Sequence, residues 1–237
     1  MEHFMKLREF IDLEKIEWDW LSRNPSAIKL LEANPEKINW NMLSFNFAPG
    51  AIKLLEANQE KIEWINLSQN TAPGAMKLLE ANPEKIDWMW LSQNPSPGAI
   101  KLLEANQDKI DWDMMSTNPA PNAIKLLEAN QDKIDWYDLS LNPADGAIKL
   151  LEANQDKIDW GNLSGNPGAM KLLEANQEKI AWDWLSGNPS AIKLLEANQE
   201  NIDWNMLSGN PEIFEYDYKA MKDRMYNSGL FEDLMKN

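Results

Sequence analysis

Residues 179–198 read Lys-Ile-Ala-Trp-Asp-Trp-Leu-Ser-Gly-Asn-Pro-Ser-Ala-Ile-Lys-Leu-Leu-Glu-Ala-Asn, and close copies of this stretch recur along most of the 237-residue chain. Each copy contains a Trp at the position of Trp182, and this Trp recurs every 22 or 24 residues. The series is Trp18, Trp40, Trp64, Trp88, Trp112, Trp136, Trp160, Trp182 and Trp204. A unit of this length cannot bury an indole ring alone, so each copy has to stack on its neighbours and share a continuous core. The spacing predicts a solenoid with these Trp side chains as its structural frame.

The phrase Ala-Ile-Lys-Leu-Leu-Glu-Ala predicts a short amphipathic helix in every copy. In residues 27–33 the Ala, Ile and Leu side chains share one face, and Lys29 and Glu32 take the other. Asn24-Pro25 supplies an N-cap and a first-turn proline, and Asn34 is expected to end the helix in the left-handed conformation.

The phrase around each Trp supports two interpretations, because its Ile, Trp and Leu fit neither strict alternation nor one helical face. In the first, a second short helix begins at Pro35 and runs through Trp40 to Ser44. In the second, residues 37–40 form a short strand, as in a leucine-rich α/β horseshoe. The acidic residue before most Trp disfavours the strand. We therefore expect an all-α solenoid of about eight to nine helix-turn-helix repeats of 22–24 residues.

Five consecutive copies are two residues longer than the others. The insertion precedes the Ala-Ile-Lys helix, as Asn94-Pro95-Ser96-Pro97-Gly98-Ala99 shows beside Asn24-Pro25-Ser26-Ala27. Equivalent loops of a solenoid share one edge, so the insertions predict a rim that is thicker over half its length.

The repeats predict a single domain over 1–237, with atypical ends that act as caps. We expect an N-terminal cap and partial repeat at 1–26, repeats at 27–211 and a C-terminal cap at 212–237. A helix in residues 2–13 would place four apolar side chains on one side, namely Phe4, Leu7, Phe10 and Ile11. Residues 219–225 also have a helical pattern, and both segments would cover exposed hydrophobic faces.

Two phrases and the tail together resemble a known family. Residues 182–189, Trp-Asp-Trp-Leu-Ser-Gly-Asn-Pro, and 191–198, Ala-Ile-Lys-Leu-Leu-Glu-Ala-Asn, are similar to short repeats of giant nucleocytoplasmic DNA viruses, and so is the ending from Asn210 to Met225. The resemblance covers about residues 13–225. It implies a viral repeat scaffold in the cytoplasm of an infected host cell or in the virion, and it supplies no catalytic residues. The near-identity of the copies also fits a designed or consensus-built protein.

Composition excludes several classes of partner and site. A net charge of −15 and an isoelectric point near 4.5 argue against a phosphate backbone and against an anionic membrane surface. No apolar run reaches the roughly 20 residues of a membrane span, and the first residues do not resemble a signal peptide. With no cysteine, disulfides and thiolate metal sites are excluded.

No motif for catalysis or cofactor binding is present, so we expect a protein that is not an enzyme and binds no cofactor. His3, the one histidine, has no paired base in sequence and is expected to be a solvated end residue. Asp clusters could offer oxygen ligands to Ca²⁺, as at Asp108, Asp111 and Asp113 or at Asp132, Asp135 and Asp138. Because other copies replace the Asp before Trp, helix-start and surface carboxylates are the favoured interpretation. The repeated Ser is expected to cap local backbone. The repeated Asn is expected to bond the backbone of its own or the next repeat.

The residues that vary against this constant pattern predict a contact surface. The positions directly after each Trp and after each Ser tolerate many residue types, which is typical of exposed sites. Their apolar members are Phe45, Ile65, Met89, Tyr137 and Leu141. We expect these side chains to bind a protein partner of unknown identity. A carbohydrate or small-ligand groove lined by Trp and Asn is the alternative, and it requires accessible Trp rings.

Overall fold

The computed structural model describes residues 7–227, and this range is all-helical, with no strand. The all-α solenoid is therefore confirmed over the α/β horseshoe. The chain divides into two compact units, Met1–Asp159 and Trp160–Asn237, each built from stacked repeats. The predicted helix in residues 2–13 lies partly outside the described residues. Phe4 and His3 lie wholly outside them.

Each repeat contributes two kinds of helix. The Trp helices of the first unit are α1 (Trp18–Arg23), α3 (Trp40–Ser44), α5 (Trp64–Gln69), α7 (Trp88–Gln93), α9 (Trp112–Thr117) and α11 (Trp136–Leu141). Its Leu helices are α2 (Ile28–Glu32), α4 (Pro49–Ala57), α6 (Pro73–Ala81), α8 (Pro97–Ala105), α10 (Pro121–Ala129) and α12 (Asp145–Ala153). In the second unit the Trp helices are α13 (Trp160–Gly165), α15 (Trp182–Gly187) and α17 (Trp204–Ser208), and the Leu helices are α14 (Met170–Glu174) and α16 (Ile192–Ala197). Helix α18 (Tyr218–Asn227) follows them.

The second helix of each repeat begins later than expected. A 3-10 turn covers Pro35–Lys37, two extended residues follow, and α3 begins only at Trp40. The break has a local cause, because the Asn39 side chain caps α3 by accepting a hydrogen bond from the Met42 N–H at 3.1 Å. An N-cap residue needs extended backbone, so the helix cannot run through it. Aspartates cap other Trp helices in the same way, at Asp87, Asp111, Asp135 and Asp203.

The Leu helices end differently from the prediction. Asn34 has φ −138° and ψ 60°, so its backbone is not left-handed. Its side-chain Nδ2 instead donates to the Leu30 carbonyl at 2.8 Å, which satisfies an acceptor of the last turn. The same bond recurs in later copies, for example from Asn106 to Leu102 at 2.8 Å.

The insertions place two extra connecting residues between the turn asparagine and the helical segment, as at Phe47 and Ala48, and the thicker rim stays a prediction. In a short copy a 3-10 turn, Pro25–Ala27, precedes the five-residue α2. In a long copy the Pro-Gly pair joins the helix, and α4 has nine residues. The glycine lies close to the preceding repeat, since a Cβ built on Gly50 would lie 2.5 Å from Cγ2 of Ile28, although one long copy accommodates Asn122 at this position.

The core is formed by leucines, and the Trp rings are only half-buried. Leu31, Leu43, Leu55 and Leu67 are fully buried, and the pattern continues in later repeats. The framework Trp residues from Trp18 to Trp182 keep part of their surface exposed. The indoles therefore flank the core, and the stacked repeats bury most of each ring but not all of it.

Buried asparagines join successive repeats. Nδ2 of Asn94 donates to the carbonyls of Ser68 at 2.9 Å and Asn70 at 3.1 Å in the preceding repeat. Its Oδ1 accepts the Ser96 N–H at 3.0 Å and closes a turn in its own repeat. Equivalent bonds link Asn46, Asn70, Asn118 and Asn142 in the first unit and Asn188 and Asn210 in the second. The expected Asn bond to the backbone of its own repeat is confirmed, and the bond between repeats goes to the preceding repeat and not to the next one.

The repeated serines add a second bond at each junction. Oγ of Ser22 donates to the Trp18 carbonyl at 2.8 Å and accepts the Asn39 N–H of the next repeat at 3.0 Å. The predicted local backbone bond of Ser is therefore confirmed, and the same oxygen also bonds the following repeat.

The ends leave apolar side chains exposed. Residues 7–17 form turns without a helix, and Phe10 is 77% exposed. The predicted C-terminal helix is confirmed as α18, but Phe214, Tyr216 and Tyr218 are exposed. Within the described residues, the expected covering of the end faces is therefore not achieved.

Two leucines of α11 provide a matched test of the core. Leu139 is fully buried and Leu141 is 45% exposed. Leu139→Ala should lower the free energy of unfolding by about 2–5 kcal/mol through lost burial and cavity formation. Leu141→Ala should change it by less than about 0.5 kcal/mol. Urea unfolding followed by circular dichroism measures both, and equal losses would contradict this assignment of the core.

The asparagine bonds between repeats can be tested by the pair Asn94→Ala and Asn106→Ala. The first strands two carbonyls and one N–H in a buried site, so we expect a loss of about 2–4 kcal/mol. The second removes one local bond at a part-exposed helix end and should cost about 1 kcal/mol or less. Thermal melts of the two variants measure the difference. Equal melting temperatures would show that the inter-repeat bonds contribute no more to stability than the local bond does.

Candidate protein-binding face

The candidate surface consists of the second and sixth positions of the Trp helices in the first unit. These positions are four residues apart, so both point from one face of each helix, as in Ile65 and Gln69 of α5. Adjacent Trp helices pack directly on each other, for example α5 on α7 and α9 on α11. Repetition therefore aligns the two positions into rows, and we name this surface the Trp-helix face.

Four of the five expected contact residues are exposed on this face. Ile65, Met89, Tyr137 and Leu141 are between 38% and 59% exposed. Ile65 and Met89 occupy the same position on the packed helices α5 and α7, and Tyr137 and Leu141 are four residues apart on α11. Helix α9 lies between these pairs and carries Asp113 at the equivalent position. The structure thus forms two apolar pairs separated by an acidic repeat.

Phe45 is only partly exposed, in contrast to the sequence-based expectation. The guanidinium carbon of Arg23 lies 4.7 Å from the centre of its ring. Arg23 occupies the same position one repeat earlier, so the two side chains stack along the row. A cation over an aromatic face is favourable, and this stack covers the ring that was expected to be open.

Sequence reasoning missed Phe47, which is 59% exposed just before α4. Other copies place Pro or Thr directly after the turn asparagine, as at Pro25, Thr71 and Pro95. An aromatic residue in place of Pro or Thr could have indicated from the sequence that Phe47 is a candidate contact residue. Trp20 and Trp184 are also exposed, at a position that two other copies fill with buried Asn66 and Asn162.

Carboxylates concentrate around Asp113, which lies at the centre of the face. The pKa of Asp138 is raised above its ordinary value of 3.8, first by burial and then by the negative charges of Asp135, Asp113 and Asp111. Two of these carboxylates cap helices. Asp111 accepts a hydrogen bond from the Met114 N–H at 3.0 Å, and Asp135 accepts one from the Asp138 N–H at 2.9 Å. Among the residues described, no group of three or more His, Cys, Asp or Glu side chains is arranged to hold a metal ion.

The framework indoles are engaged by lysines of the next repeat. Lys Nζ lies 4.6 to 4.8 Å from the ring centre in the pairs Lys37 with Trp18, Lys61 with Trp40, Lys85 with Trp64, Lys133 with Trp112, Lys157 with Trp136 and Lys179 with Trp160. A cation thus covers one face of each of these rings. A carbohydrate groove needs open aromatic faces, and this arrangement does not favour it.

Comparison with known proteins identified no relative: no family model, no curated protein and no solved structure matches the chain. In residues 7–227, no helix combines the length and the apolar character that crossing a membrane requires. The geometry of the Trp-helix face is therefore the basis for any functional assignment.

The raised pKa of Asp138 predicts that removing its charge stabilises the fold. An acid whose folded pKa is raised contributes a penalty that grows as pH rises from its ordinary value through the folded value. Asp138→Asn should therefore raise the melting temperature near neutral pH and leave it unchanged well below pH 3.8. The exposed Asp132→Asn serves as the control and should have little effect at either pH. A stabilisation by Asp138→Asn that persists in acid would contradict the electrostatic cause.

Proposed function

We propose that this chain is a non-enzymatic repeat scaffold that binds a protein partner through the Trp-helix face of its first unit. The observation that supports this most directly is the pattern on that face: two exposed apolar pairs, Ile65 with Met89 and Tyr137 with Leu141, on either side of an acidic repeat. Apolar and aromatic side chains supply most of the energy at protein interfaces.

The apolar residues are not required by the fold. At the position of Ile65, Met89 and Tyr137, other repeats carry Asp19, Asn41, Asp113 and Asp183. Where the residue is polar it can bond the next repeat: Asp19 Oδ1 accepts from Asn39 Nδ2 at 2.8 Å, and Asn41 Oδ1 accepts from Asn66 Nδ2 at 2.9 Å. The apolar side chains of Ile65 and Met89 cannot make this bond, so they do not serve the junction in that way. Exposed hydrophobic residues that the fold does not need are best explained by a contact.

The charge of the face defines the chemistry of the partner. Asp111, Asp113, Asp135 and Asp138 lie close enough together that three of them raise the pKa of the fourth. A complementary surface would bear Lys or Arg between two apolar clusters. Such a partner would associate faster at low salt, since exposed charges are screened as ionic strength rises.

The resemblance to giant-virus repeats supports a scaffold that acts in the cytoplasm of an infected host cell or in the virion. A designed repeat scaffold would have the same repeated framework. Without selection for a partner, however, it would have no reason to restrict apolar residues at the positions after Trp and after Ser to the first unit. The location and origin of the chain are part of this proposal.

Binding can be tested by changing Ile65, Met89 and Tyr137 together to Asp. The variant should keep its helicity and melting temperature, because other copies carry Asp there. Proteins captured from a lysate by the wild type should lose at least about tenfold in yield, since charges would be desolvated at the contact.

A matched control separates a specific contact from added negative charge. Gln59, Gln107 and Gln131 are exposed in 3-10 turns outside the Trp helices, and changing all three to Glu adds the same charge. Proteins that the control retains and the Asp variant loses support the proposal. Retention by both variants would exclude the Trp-helix face as the binding surface, and unfolding of the Asp variant would place these residues in the core.

A further inference from the structure

The last repeat of the second unit leaves its outer face open in the described structure. Trp204 is 68% exposed, and Leu207 is part-exposed although its counterpart one repeat earlier, Leu185, is fully buried. A cavity of about 530 Å³ lies on this face; its apolar lining includes Ile192, Leu195, Ile202, Trp204 and Leu207, and its polar lining includes Glu196, Gln199, Glu212 and Glu215. In the earlier repeats of this unit the following repeat packs on this surface, as α15 does on α13 and α17 on α15. We name it the terminal face.

The first repeat of the first unit is open on its other side. In an internal repeat, this side packs against the preceding repeat. Leu21 is part-exposed where Leu43 is fully buried, and Asn24 is exposed where Asn46 is fully buried. A cavity of about 350 Å³ lies here, and its apolar lining includes Leu7, Leu21, Ala27 and Leu30. We name this surface the initial face.

The internal junctions show what covers such faces. Between the first two repeats, Lys37 Nζ lies 4.6 Å from the centre of the Trp18 ring. The Asn39 N–H donates to Ser22 Oγ at 3.0 Å, and Asn46 Nδ2 donates to the Ser22 carbonyl at 3.0 Å. A following repeat thus supplies a cation and two donors, and the preceding repeat supplies an indole and two acceptors.

The initial face carries the cation and the donors of such a junction, and the terminal face carries the indole and the acceptors. Lys15, Glu17 and Asn24 stand 22 residues before Lys37, Asn39 and Asn46, and they occupy the same positions of their repeat. The Glu17 N–H and Asn24 Nδ2 have no partner in the described residues. On the terminal face, Trp204 and Ser208 match Trp18 and Ser22 in position. Ser208 is exposed, and its Oγ already donates to the Trp204 carbonyl, so its acceptor side is available.

We propose that the terminal face of one copy binds the initial face of a second copy and that this contact repeats the bonding of an internal junction. Lys15 of the second copy would stack on Trp204. Its Glu17 N–H and Asn24 Nδ2 would donate to the hydroxyl and the carbonyl of Ser208. The apolar linings of the two cavities would close against each other, as the linings do between adjacent repeats.

The two surfaces differ, so the contact is heterologous. A heterologous contact leaves one open face on each end member and permits further copies to add. Each copy also carries a net charge of −15, which opposes association. Because salt screens this repulsion, association should strengthen as ionic strength rises. The proposed partner contact on the Trp-helix face has the opposite salt dependence, so the two proposals can fail separately.

Sedimentation velocity of the full chain, from micromolar to near-millimolar concentration, tests the proposal. The wild type should form dimers and then larger species in a ladder that grows with concentration and salt. Two variants each block one face. Asn24→Asp keeps the oxygen that accepts the Ser26 N–H at 2.9 Å but removes the donor. Trp204→Ala removes an exposed ring, and Ser208→Glu is a second block on the same face.

Mixing the variants gives the decisive result. Each blocked variant alone should associate at least about tenfold more weakly than the wild type. An equimolar mixture of Asn24→Asp and Trp204→Ala should form dimers and nothing larger, because only one pair of intact faces remains. A wild type that stays monomeric at high concentration and high salt would overturn the proposal. Undiminished association by the blocked variants, or a mixture that stays monomeric beside an associating wild type, would overturn it too.

Discussion

Within each unit, the stacking of repeats depends on one buried asparagine amide per junction. In Asn94 the amide oxygen closes a turn in its own repeat, and the amide nitrogen reaches two carbonyls of the repeat before it. A buried amide left unpaired would cost about 1–3 kcal/mol, so the side chain favours one relative placement of neighbouring repeats. The nonpolar packing of leucines is less directional and would tolerate several placements. The asparagine therefore gives the leucine core its register.

Features of the fold that depend on neighbouring residues in the chain could be predicted from the sequence. Asn24-Pro25 starts a helical segment, and the spacing of Ile28 and Leu31 determines which side is buried. The burial of Trp could not be predicted in this way, because a lysine from the next repeat covers one side of the ring. The position of the insertion was also visible, but whether a Pro-Gly pair starts the segment as a 3-10 turn, as at Pro167, or as an α-helix, as at Pro49, depends on packing against the preceding repeat, where Gly50 lies close to Ile28.

The candidate face could be predicted only in part. Variation among copies correctly indicated that Ile65 and Tyr137 are exposed, because Asp at the equivalent position of other repeats is typical of an exposed site. That variation could not show whether the exposed apolar side chains form one continuous patch. In the structure, α9 separates the two apolar pairs. Phe45 differs for a related reason: its exposure depends on Arg23, 22 residues earlier, and not on its own position.

The two lengths of repeat have a consequence for how such a chain can change in size. The asparagine that joins repeats precedes the insertion, and its turn has the same geometry in a short copy, Asn24 with Ser26 at 2.9 Å, as in a long one, Asn94 with Ser96 at 3.0 Å. Long and short repeats are thus interchangeable at the junction. Duplication or deletion of a whole copy of either length would leave every remaining junction with its usual chemistry, and copy number can vary without the invention of a new interface.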